Sequence, residues 1–294
     1  MIRVGTAGWS YADWEGVVYP RHKPASFHPL RHLAHFVDCV EVNSTFYAVP
    51  AREMVETWQR LLAGRPNFVL TAKLHRDFTH SELTADDGAL HARAQEFLHA
   101  LEPISTTGRL RALLIQFAAT FQQGVAEARR LSRLRHAFAD LPLVLELRHA
   151  SWFTPPSLAT LRGLGFSLAH IDLPASWSHP PKRFAPVGPL GYYRLHGRNS
   201  KAWFDARATR DQKYDYLYDE RQMDAVAART KEIAQEHDET YVVTNNHFTG
   251  KAVVNALQLL ARLRGHPVLA PGELVHAYPQ LQSCTRHEGQ QELF

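Results

Sequence analysis

Eight short apolar runs alternate with longer amphipathic stretches along the 294 residues of the chain. Most runs are apolar at successive positions, as in the Ala-Leu-Leu-Ile of residues 112–115, which is typical of strands buried on both faces of a parallel sheet. Such an alternation predicts parallel strands joined by crossover helices. The strands are predicted at residues 2–6, 39–43, 68–73, 110–117, 143–147, 167–172, 191–196 and 240–245.

The stretches between the strands repeat apolar residues at helical spacing. Eight strands with interleaved helices in a chain of this length favour a (β/α)8 TIM barrel over a doubly wound sheet. The segment between residues 172 and 191 is too rich in proline for a regular helix, so we expect the sixth helix to be missing or irregular. Helices are predicted at residues 52–62, 89–101, 125–137, 219–236 and 250–263.

We expect one barrel domain over residues 1–282 and a polar, flexible tail over residues 283–294. The tail ends in Gln-Gln-Glu-Leu-Phe, similar to the Gln-x-x-Leu-Phe peptides by which bacterial proteins dock on the replicative sliding clamp. A disordered tail that ends in an apolar pair can fill an apolar groove on a partner protein. A random polar tail can also match this five-residue pattern. The predicted contacts with a partner are Gln290, Leu293 and Phe294.

Composition excludes several classes of protein. Hydrophobic residues make up 45% of the chain, which separates it from disordered sequences. Lysine and arginine number 33 against 29 acidic residues, a surplus too small to indicate nucleic-acid binding by itself. No apolar segment of membrane-spanning length occurs, and the chain begins without the apolar core of a signal peptide. With two cysteines and no C-x-x-C pair, we expect a cytoplasmic protein that makes no membrane contact.

Polar side chains end almost every predicted strand. In a TIM barrel the active site lies at the carboxyl ends of the strands, where these side chains converge. A single polar residue there is as readily explained by a solvated strand edge. A charged or amide group at the end of most strands instead predicts a polar pocket, because converging buried charges need partners or a ligand.

Several blocks of sequence resemble one family. They are Gly5-Thr6-Ala7-Gly8-Trp9-Ser10-Tyr11, Glu41-Val42-Asn43-Ser44-Thr45-Phe46-Tyr47, Lys73 with Thr79-His80, Glu146-Leu147-Arg148-His149 with Ser151-Trp152, Arg194-Leu195-His196-Gly197-Arg198, and Asn245-Asn246. In this order they resemble the family called domain of unknown function 72, the YecE-like proteins, from about residue 2 to residue 265. The resemblance implies a TIM barrel and supplies no reaction. Ala7 departs from the family pattern, in which a serine is more usual.

Five residues have side chains suited to catalysis. Lys73 can hold a phosphate or carboxylate, or act as a base or Schiff-base nucleophile when desolvated. Glu41, Glu146 and Asp172 are candidate general acids or bases, and His196 is a candidate proton shuttle. The alternative is structural: an ion pair between Lys73 and Glu41 or Glu146, and carboxylates paired with arginines.

The residues predicted to bind substrate fall into three kinds. Arginines hold an anion by their guanidinium forks, neutral polar groups orient the ligand, and aromatic rings stack on it. The aromatic residues can equally pack as a lid, as can the basic and aromatic loop over residues 198–218, which otherwise resembles an electrostatic funnel for a nucleic-acid strand. The candidates are Thr6, Trp9, Tyr11, Trp14, Asn43, Thr45, Tyr47, His80, Gln116, Arg148, Trp152, Arg194, Arg198, Asn245 and Asn246.

No cofactor is predicted. A divalent metal is an alternative, held by carboxylates and histidines such as His170, but an H-E-x-x-H motif is absent and the cations among the strand ends would repel it. The leading hypothesis is an enzyme that binds a phosphate-bearing substrate, including a DNA or RNA strand, as a nuclease or repair protein would. The alternatives are a lyase, isomerase or hydrolase acting on a phosphorylated sugar or acid, and a non-catalytic module that binds nucleic acid.

Overall fold

The computed structural model describes residues 1–287, and a parallel sheet of nine strands forms its centre. These strands are β1 (Ile2–Ala7), β2 (Cys39–Val42), β3 (Val69–Lys73), β4 (Leu110–Gln116), β5 (Leu143–Glu146), β6 (Ser167–Leu168), β7 (His170–Asp172), β8 (Leu190–Leu195) and β9 (Glu239–Thr244). Their order in the sheet is β6-β5-β4-β3-β2-β1-β9-β8-β7.

The barrel is closed by one segment that pairs at both edges of the sheet. Strand β6 pairs with β5, and β7 pairs with β8, while a single residue, Ala169, separates β6 from β7. The segment 167–172 therefore acts as one barrel strand that changes partner along its length. Eight strand segments form the nearly closed barrel, which confirms the predicted TIM-barrel fold.

Ten α-helices occur within the described residues, most of them between strands. They are α1 (Pro29–Leu33), α2 (Arg52–Leu61), α3 (Asp87–Ser105), α4 (Val125–Ala137), α5 (Pro155–Gly163), α6 (Ser200–Trp203), α7 (Arg210–Lys213), α8 (Glu220–Gln235), α9 (Lys251–Arg264) and α10 (Gly272–Ala277). The start of α8 is fixed by a capping box between Asp219 and Gln222. Residues 173–189 contain no helix, as their prolines predicted.

Side-chain alternation along the strands creates two apolar layers. One set of side chains fills the barrel interior and includes Cys39, Leu114 and Tyr192. The other set, with Val40 and Leu113, packs between the barrel and the surrounding helices. The interior is therefore a packed core, and only its carboxyl end carries the charged groups described below.

The end of the described chain differs from the sequence prediction. A small parallel pair forms between β10 (Val268–Ala270) and β11 (Thr285–His287), within the stretch that we expected to be a flexible tail from residue 283. The three consecutive backbone pairings supply this stretch with partners that its polar sequence did not reveal. The predicted clamp-binding residues Gln290, Leu293 and Phe294 lie outside the described residues. No helix within residues 1–287 is long and apolar enough to cross a membrane.

A substitution at Gly5 tests how closely β1 packs against β2. A Cβ at this position would overlap the backbone carbonyl of Cys39, with the carbonyl carbon only 2.6 Å away. We expect Gly5→Ala to lower the free energy of unfolding by about 1–3 kcal/mol or more, because a backbone strand cannot move aside cheaply. Urea denaturation followed by circular dichroism measures the change. Gly163→Ala in α5 is the matched control, since nothing lies within 4 Å of its added methyl group; equal stability losses in both variants would contradict the prediction.

The candidate active site at the carboxyl end of the barrel

Arg194 is the centre of a buried ionic network at the carboxyl end of the barrel. Its side chain is 1% exposed, and it extends from β8 between two carboxylates that are fully buried. Nε and Nη2 donate to the two oxygens of Glu41 at 3.0 and 2.6 Å, and Nη1 donates to Oε2 of Glu146. Because Glu41 lies on β2 and Glu146 on β5, one guanidinium connects three strands across the barrel.

Neutral groups and a second arginine complete the hydrogen bonds of this network. The Tyr192 hydroxyl donates to Glu41 Oε2 at 2.8 Å, and Arg194 Nη1 donates to Gln116 Oε1 at 3.3 Å. Arg148 Nε donates to Glu146 Oε1 at 2.7 Å. Each carboxylate oxygen of Glu41 and Glu146 thus accepts at least one charge-assisted hydrogen bond, the strong kind.

The network fixes the charge states of Glu146 and His196. Burial alone would raise the pKa of Glu146, but Arg194 and Arg148 hold that pKa well below its ordinary value. Burial, with Arg194 acting in the same direction, lowers the pKa of His196 to about 4. Glu146 is therefore an anion and His196 is neutral at pH 7.

The three predicted acid–base groups of this network do not border the open cleft described below. Glu41, Glu146 and His196 are buried beneath its floor, and Arg194 uses both carboxylates as counter-ions. Asn245 lies within 3.0 Å of the second ring nitrogen of His196, Nδ1. The ion pairs weighed as the structural alternative are the ones that form for these carboxylates.

Asp172 is also committed to a partner. Arg198 donates to its two oxygens at 2.8 and 2.6 Å, and the Tyr218 hydroxyl donates to Oδ1 at 2.9 Å. Neither Asp172 nor Arg198 borders the cleft. This bidentate pair tethers the loop after β8 to the end of β7, which is the structural alternative for these groups. The acid–base and anion-binding roles expected of Asp172 and Arg198 stay predictions.

A cleft of about 890 Å³ opens at the carboxyl ends of β1, β2, β3, β4, β8 and β9. Its volume is within the range of sites that bind small molecules. Nine of the predicted site residues line it, and they are Trp9, Tyr11, Asn43, Tyr47, Lys73, His80, Gln116, Arg194 and Asn245. The structure therefore gathers one part of the predicted set into a single cavity.

Lys73 enters this cleft without a counter-ion. Within residues 1–287 its Nζ makes no ion pair, and it lies 3.9 Å from the centre of the Phe46 ring. Burial, with the charge of Arg194 acting in the same direction, lowers the pKa of Lys73 to about 7. The expected alternative of a salt bridge to Glu41 or Glu146 is wrong, because Arg194 holds both of those carboxylates.

The charges that line the cleft are of one sign. Four cationic side chains border it, and no aspartate or glutamate does so among the described residues. Arg76 makes no ion pair in residues 1–287, whereas Arg210 pairs only with its exposed neighbour Asp211. The four cations are Lys73, Arg76, Arg194 and Arg210. Such a lining attracts anions and disfavours metal cations.

The remaining predicted binding residues support the loops around the cleft instead of lining it. Several of them use their polar atoms within the protein: the indoles of Trp14 and Trp152 donate to backbone carbonyls at 2.8 Å, and the Thr45 hydroxyl donates to the carbonyl of Lys73 at 2.6 Å. Strand and loop ends need such partners when they are buried. The predicted binding residues that do not line the cleft are Thr6, Trp14, Thr45, Arg148, Trp152 and Asn246, together with Arg198, and their role in binding stays a prediction.

Five lining residues lie outside the site residues, sequence blocks and basic loop that the sequence analysis named, and they are His28, Met54, Trp58, Arg76 and His247. Arg76 and His247 follow predicted site residues by two or three positions, so a wider window after each strand would have included them. His28 and Met54 lie at the start of α1 and on α2, and no strand-end rule points to them. His247 stacks on Tyr11 with ring centres 4.4 Å apart.

Burial, with Arg210 acting in the same direction, lowers the pKa of His247 to about 4. This histidine is therefore neutral at pH 7. His247 Nδ1 and Asn43 Oδ1 are buried atoms of the lining that lack a hydrogen-bond partner.

The donors considered for a metal are dispersed. No group of three or more histidine, cysteine, aspartate or glutamate side chains that could hold an ion occurs within residues 1–287. His170, for example, stacks on Phe184 and faces Arg229. The residues named for a metal site therefore do not assemble into one.

Comparison with known proteins agrees with the fold and identifies the family of the chain. The model of the family described as protein of unknown function DUF72 matches residues 3–276. The chain belongs to the DUF72 family. It is 26% identical over 285 residues to the UPF0759 protein YunF of Bacillus subtilis, covering 93% of this chain and 99% of YunF.

Solved structures of the DUF72 family share the whole barrel. A family member from Thermotoga maritima is 30% identical, with 90% of this chain and 99% of that chain covered and a TM-score of 0.75. One from Enterococcus faecalis is 26% identical, with 90% and 96% covered and a TM-score of 0.77. SacUVDE, at 11% identity and a TM-score of 0.51 over 90% of this chain and 99% of that one, shares the fold alone.

Glu146→Gln tests the buried network. We expect it to lower the free energy of unfolding by about 3–5 kcal/mol, because half of the charge that compensates Arg194 is removed. The folded pKa of Glu146 is depressed, so its contribution is present above pH 4.5, its ordinary pKa, and is lost as pH falls through the lower folded value. Urea denaturation at pH 7 and pH 3 measures the free energy of unfolding of both chains. We expect the difference between the unmodified chain and Glu146→Gln to be smaller at pH 3.

The control is Glu15→Gln, which breaks a surface ion pair with Lys23. Such surface pairs contribute about 0–1 kcal/mol. A loss for Glu146→Gln no larger than that of the control would show that Arg194 does not depend on this carboxylate.

Proposed function

We propose that this DUF72 protein is an enzyme that binds a phosphate-bearing substrate in the cleft, with Lys73 as its reactive group. The observation that carries the proposal is the lining of the cleft, which combines four cationic side chains with no carboxylate among the described residues. Guanidinium forks and an ammonium group are the side chains that hold phosphate. Arg194 is neutralised by its two carboxylates and Arg210 pairs with Asp211, so Lys73 and Arg76 carry the charge that has no counter-ion among the described residues.

The aromatic part of the lining favours a substrate that also carries a planar ring. Tyr47 is 61% exposed at the cleft and contacts Phe46, whereas Trp9 and Trp58 line the cleft as largely buried rings. Exposed rings of this kind stack on bases, with a gain of about 1–3 kcal/mol per base. A phosphate with an attached base is a nucleotide, either free or within a strand.

A nucleic-acid strand is supported by basic groups beyond the cleft. The loop after β8 supplies Arg210 and Tyr214 to the lining, and it also presents the exposed side chains of Lys201 and Arg207. A strand lying in the cleft could continue along this loop, where further phosphates would meet these cations. A phosphorylated sugar or acid would use the cleft alone and remains the second candidate.

The chemistry is assigned to Lys73 and not to the buried carboxylates. Glu41 and Glu146 hold Arg194 in place, so we regard them as positioning residues. Lys73 borders the cleft and, with a pKa of about 7, is present both as ammonium and as free amine near neutrality. It can therefore hold a phosphate in one form and act as a base or nucleophile in the other.

Binding to phosphate-bearing ligands should depend on the charge of Lys73. We expect the affinity for labelled single-stranded oligonucleotides to fall as pH rises from 6 to 8, because Lys73 loses its proton in this range. Arg76→Ala should weaken binding about tenfold or more, as expected when one charge-assisted contact of about 1.5–3 kcal/mol is lost. Fluorescence anisotropy at low salt measures both effects.

Lys73→Arg is the control for the pH effect, since a guanidinium stays charged and should abolish the dependence. Lys231→Ala, on the exposed face of α8, should change neither affinity nor pH profile. A steep decline with salt would support a strand contacting several phosphates, and a shallow one a single small anion. The proposal fails if neither oligonucleotides nor small phosphate esters bind at low salt.

A further inference from the structure

The primary amine of Lys73 lies where it can react with a carbonyl group of a bound substrate. Its Nζ lies in a cleft lined by aromatic rings, 3.9 Å from the centre of the Phe46 ring. The Thr45 hydroxyl lies 2.6 Å from the backbone carbonyl of Lys73, so the end of β3 is held in place. The amine is thus presented on a fixed backbone and faces the space that a substrate would occupy.

No carboxylate of the described residues neutralises this amine. The two acidic groups that act on Lys73 are Glu41 and Glu146, and each is bonded to Arg194 and contained in the buried network. The other charges facing Lys73 are Arg194 on β8 and Arg148 after β5, with His80 in the loop after β3. This surrounding set favours the free amine over the ammonium form.

Cationic groups other than Lys73 are also available to hold the phosphate of a substrate. Arg76 and Arg210 line the same cleft and carry guanidinium groups, which bind phosphate but cannot form imines. The structure therefore separates anion binding from a primary amine of unusual reactivity. A lysine desolvated in an apolar pocket beside another cation is the arrangement that activates this side chain as a nucleophile.

We propose that Lys73 forms an imine with a phosphate-bearing aldehyde or ketone bound in the cleft. This inference rests on the proposed function and names its substrate class. The lone pair of Nζ attacks the carbonyl carbon, a C–N bond forms, and the carbonyl oxygen becomes a hydroxyl by taking a proton. The carbinolamine then loses that hydroxyl as water while nitrogen loses its proton, which leaves a C=N bond. The imine makes the neighbouring C–H acidic, so the reaction class is that of a lyase or isomerase.

Two sources supply a carbonyl beside a phosphate. One is a small sugar phosphate in its open-chain form, and the other is the open-chain deoxyribose of an abasic position in a nucleic-acid strand. Both present the same chemistry to Lys73 and differ in how many further phosphates they carry. The test therefore uses one probe of each kind.

The experiment traps the imine with sodium cyanoborohydride, which reduces C=N to a stable amine. The full chain is incubated with glyceraldehyde 3-phosphate, or with an oligonucleotide containing one abasic position, and is then analysed by intact mass and peptide mapping. The variants are Lys73→Arg, which keeps the charge and removes the amine, and Lys231→Arg as the matched surface control. Binding of phosphate esters and oligonucleotides without a carbonyl is measured in parallel on the same preparations.

We expect at least one probe to be trapped on Lys73 in the unmodified chain and in Lys231→Arg. In Lys73→Arg we expect neither probe to be trapped at position 73. At pH 7 a lysine with a pKa of about 7 has on the order of a thousandfold more free amine than an ordinary lysine. Trapping at Lys73 should therefore exceed trapping at Lys231 at least about tenfold, and its rate should rise with a midpoint near pH 7. Preferential trapping of the small probe identifies a sugar phosphate as the source, and preferential trapping of the oligonucleotide identifies a strand.

Failure of the imine proposal can be distinguished from failure of the proposed function. If ligands without a carbonyl bind but neither probe is trapped on Lys73, the imine is wrong and the phosphate site stands. Equal labelling of Lys73 and Lys231, or unchanged labelling in Lys73→Arg, would also overturn it. If no phosphate-bearing ligand binds at all, the proposed function fails and the imine proposal fails with it.

Discussion

The buried guanidinium of Arg194 is the interaction on which the carboxyl end of this barrel depends. A charge that is 1% exposed is tolerated only because Glu41 and Glu146 compensate it through direct hydrogen bonds. The carboxylates come from β2 and β5 and the guanidinium from β8, so the network requires these strands to close in one register. Removal of any member would leave an unpaired charge in the interior.

The chemistry of the cleft is a consequence of this network. Since Glu41 and Glu146 are bonded to Arg194, they are not available as counter-ions for Lys73, whose amine lies above them without an ion pair in the described chain. The buried anions therefore do not give the cleft a negative charge, and Arg76 and Arg210 add positive charge at its walls. Because the acids are buried and paired, the lining of the cleft is positively charged and contains an amine whose pKa is lowered to about 7.

The position of the cleft follows from the loops that surround it. The loops after β1, β2 and β3 contribute aromatic and amide groups, and the long loop after β8 folds over to add Arg210 and Tyr214. On the opposite side, the Asp172–Arg198 pair and Arg148 are used in contacts within the protein. Solved members of the DUF72 family share this fold over nearly the whole chain. In barrels of this kind, active sites lie at the carboxyl ends of the strands.

The sequence by itself determined the barrel, the missing sixth helix and the polar character of the strand ends. These follow from local patterns: continuous apolar runs predict buried parallel strands, and prolines after residue 172 prevent a helix. Only the tertiary structure decided which polar groups pair with one another. Glu41 and Arg194 lie 153 positions apart, and the sequence gives no measure of the distance between them once folded. The pairing of Arg194 with both glutamates, which leaves Lys73 unpaired, therefore depends on barrel closure, because only closure brings β2, β5 and β8 within hydrogen-bonding distance of one guanidinium.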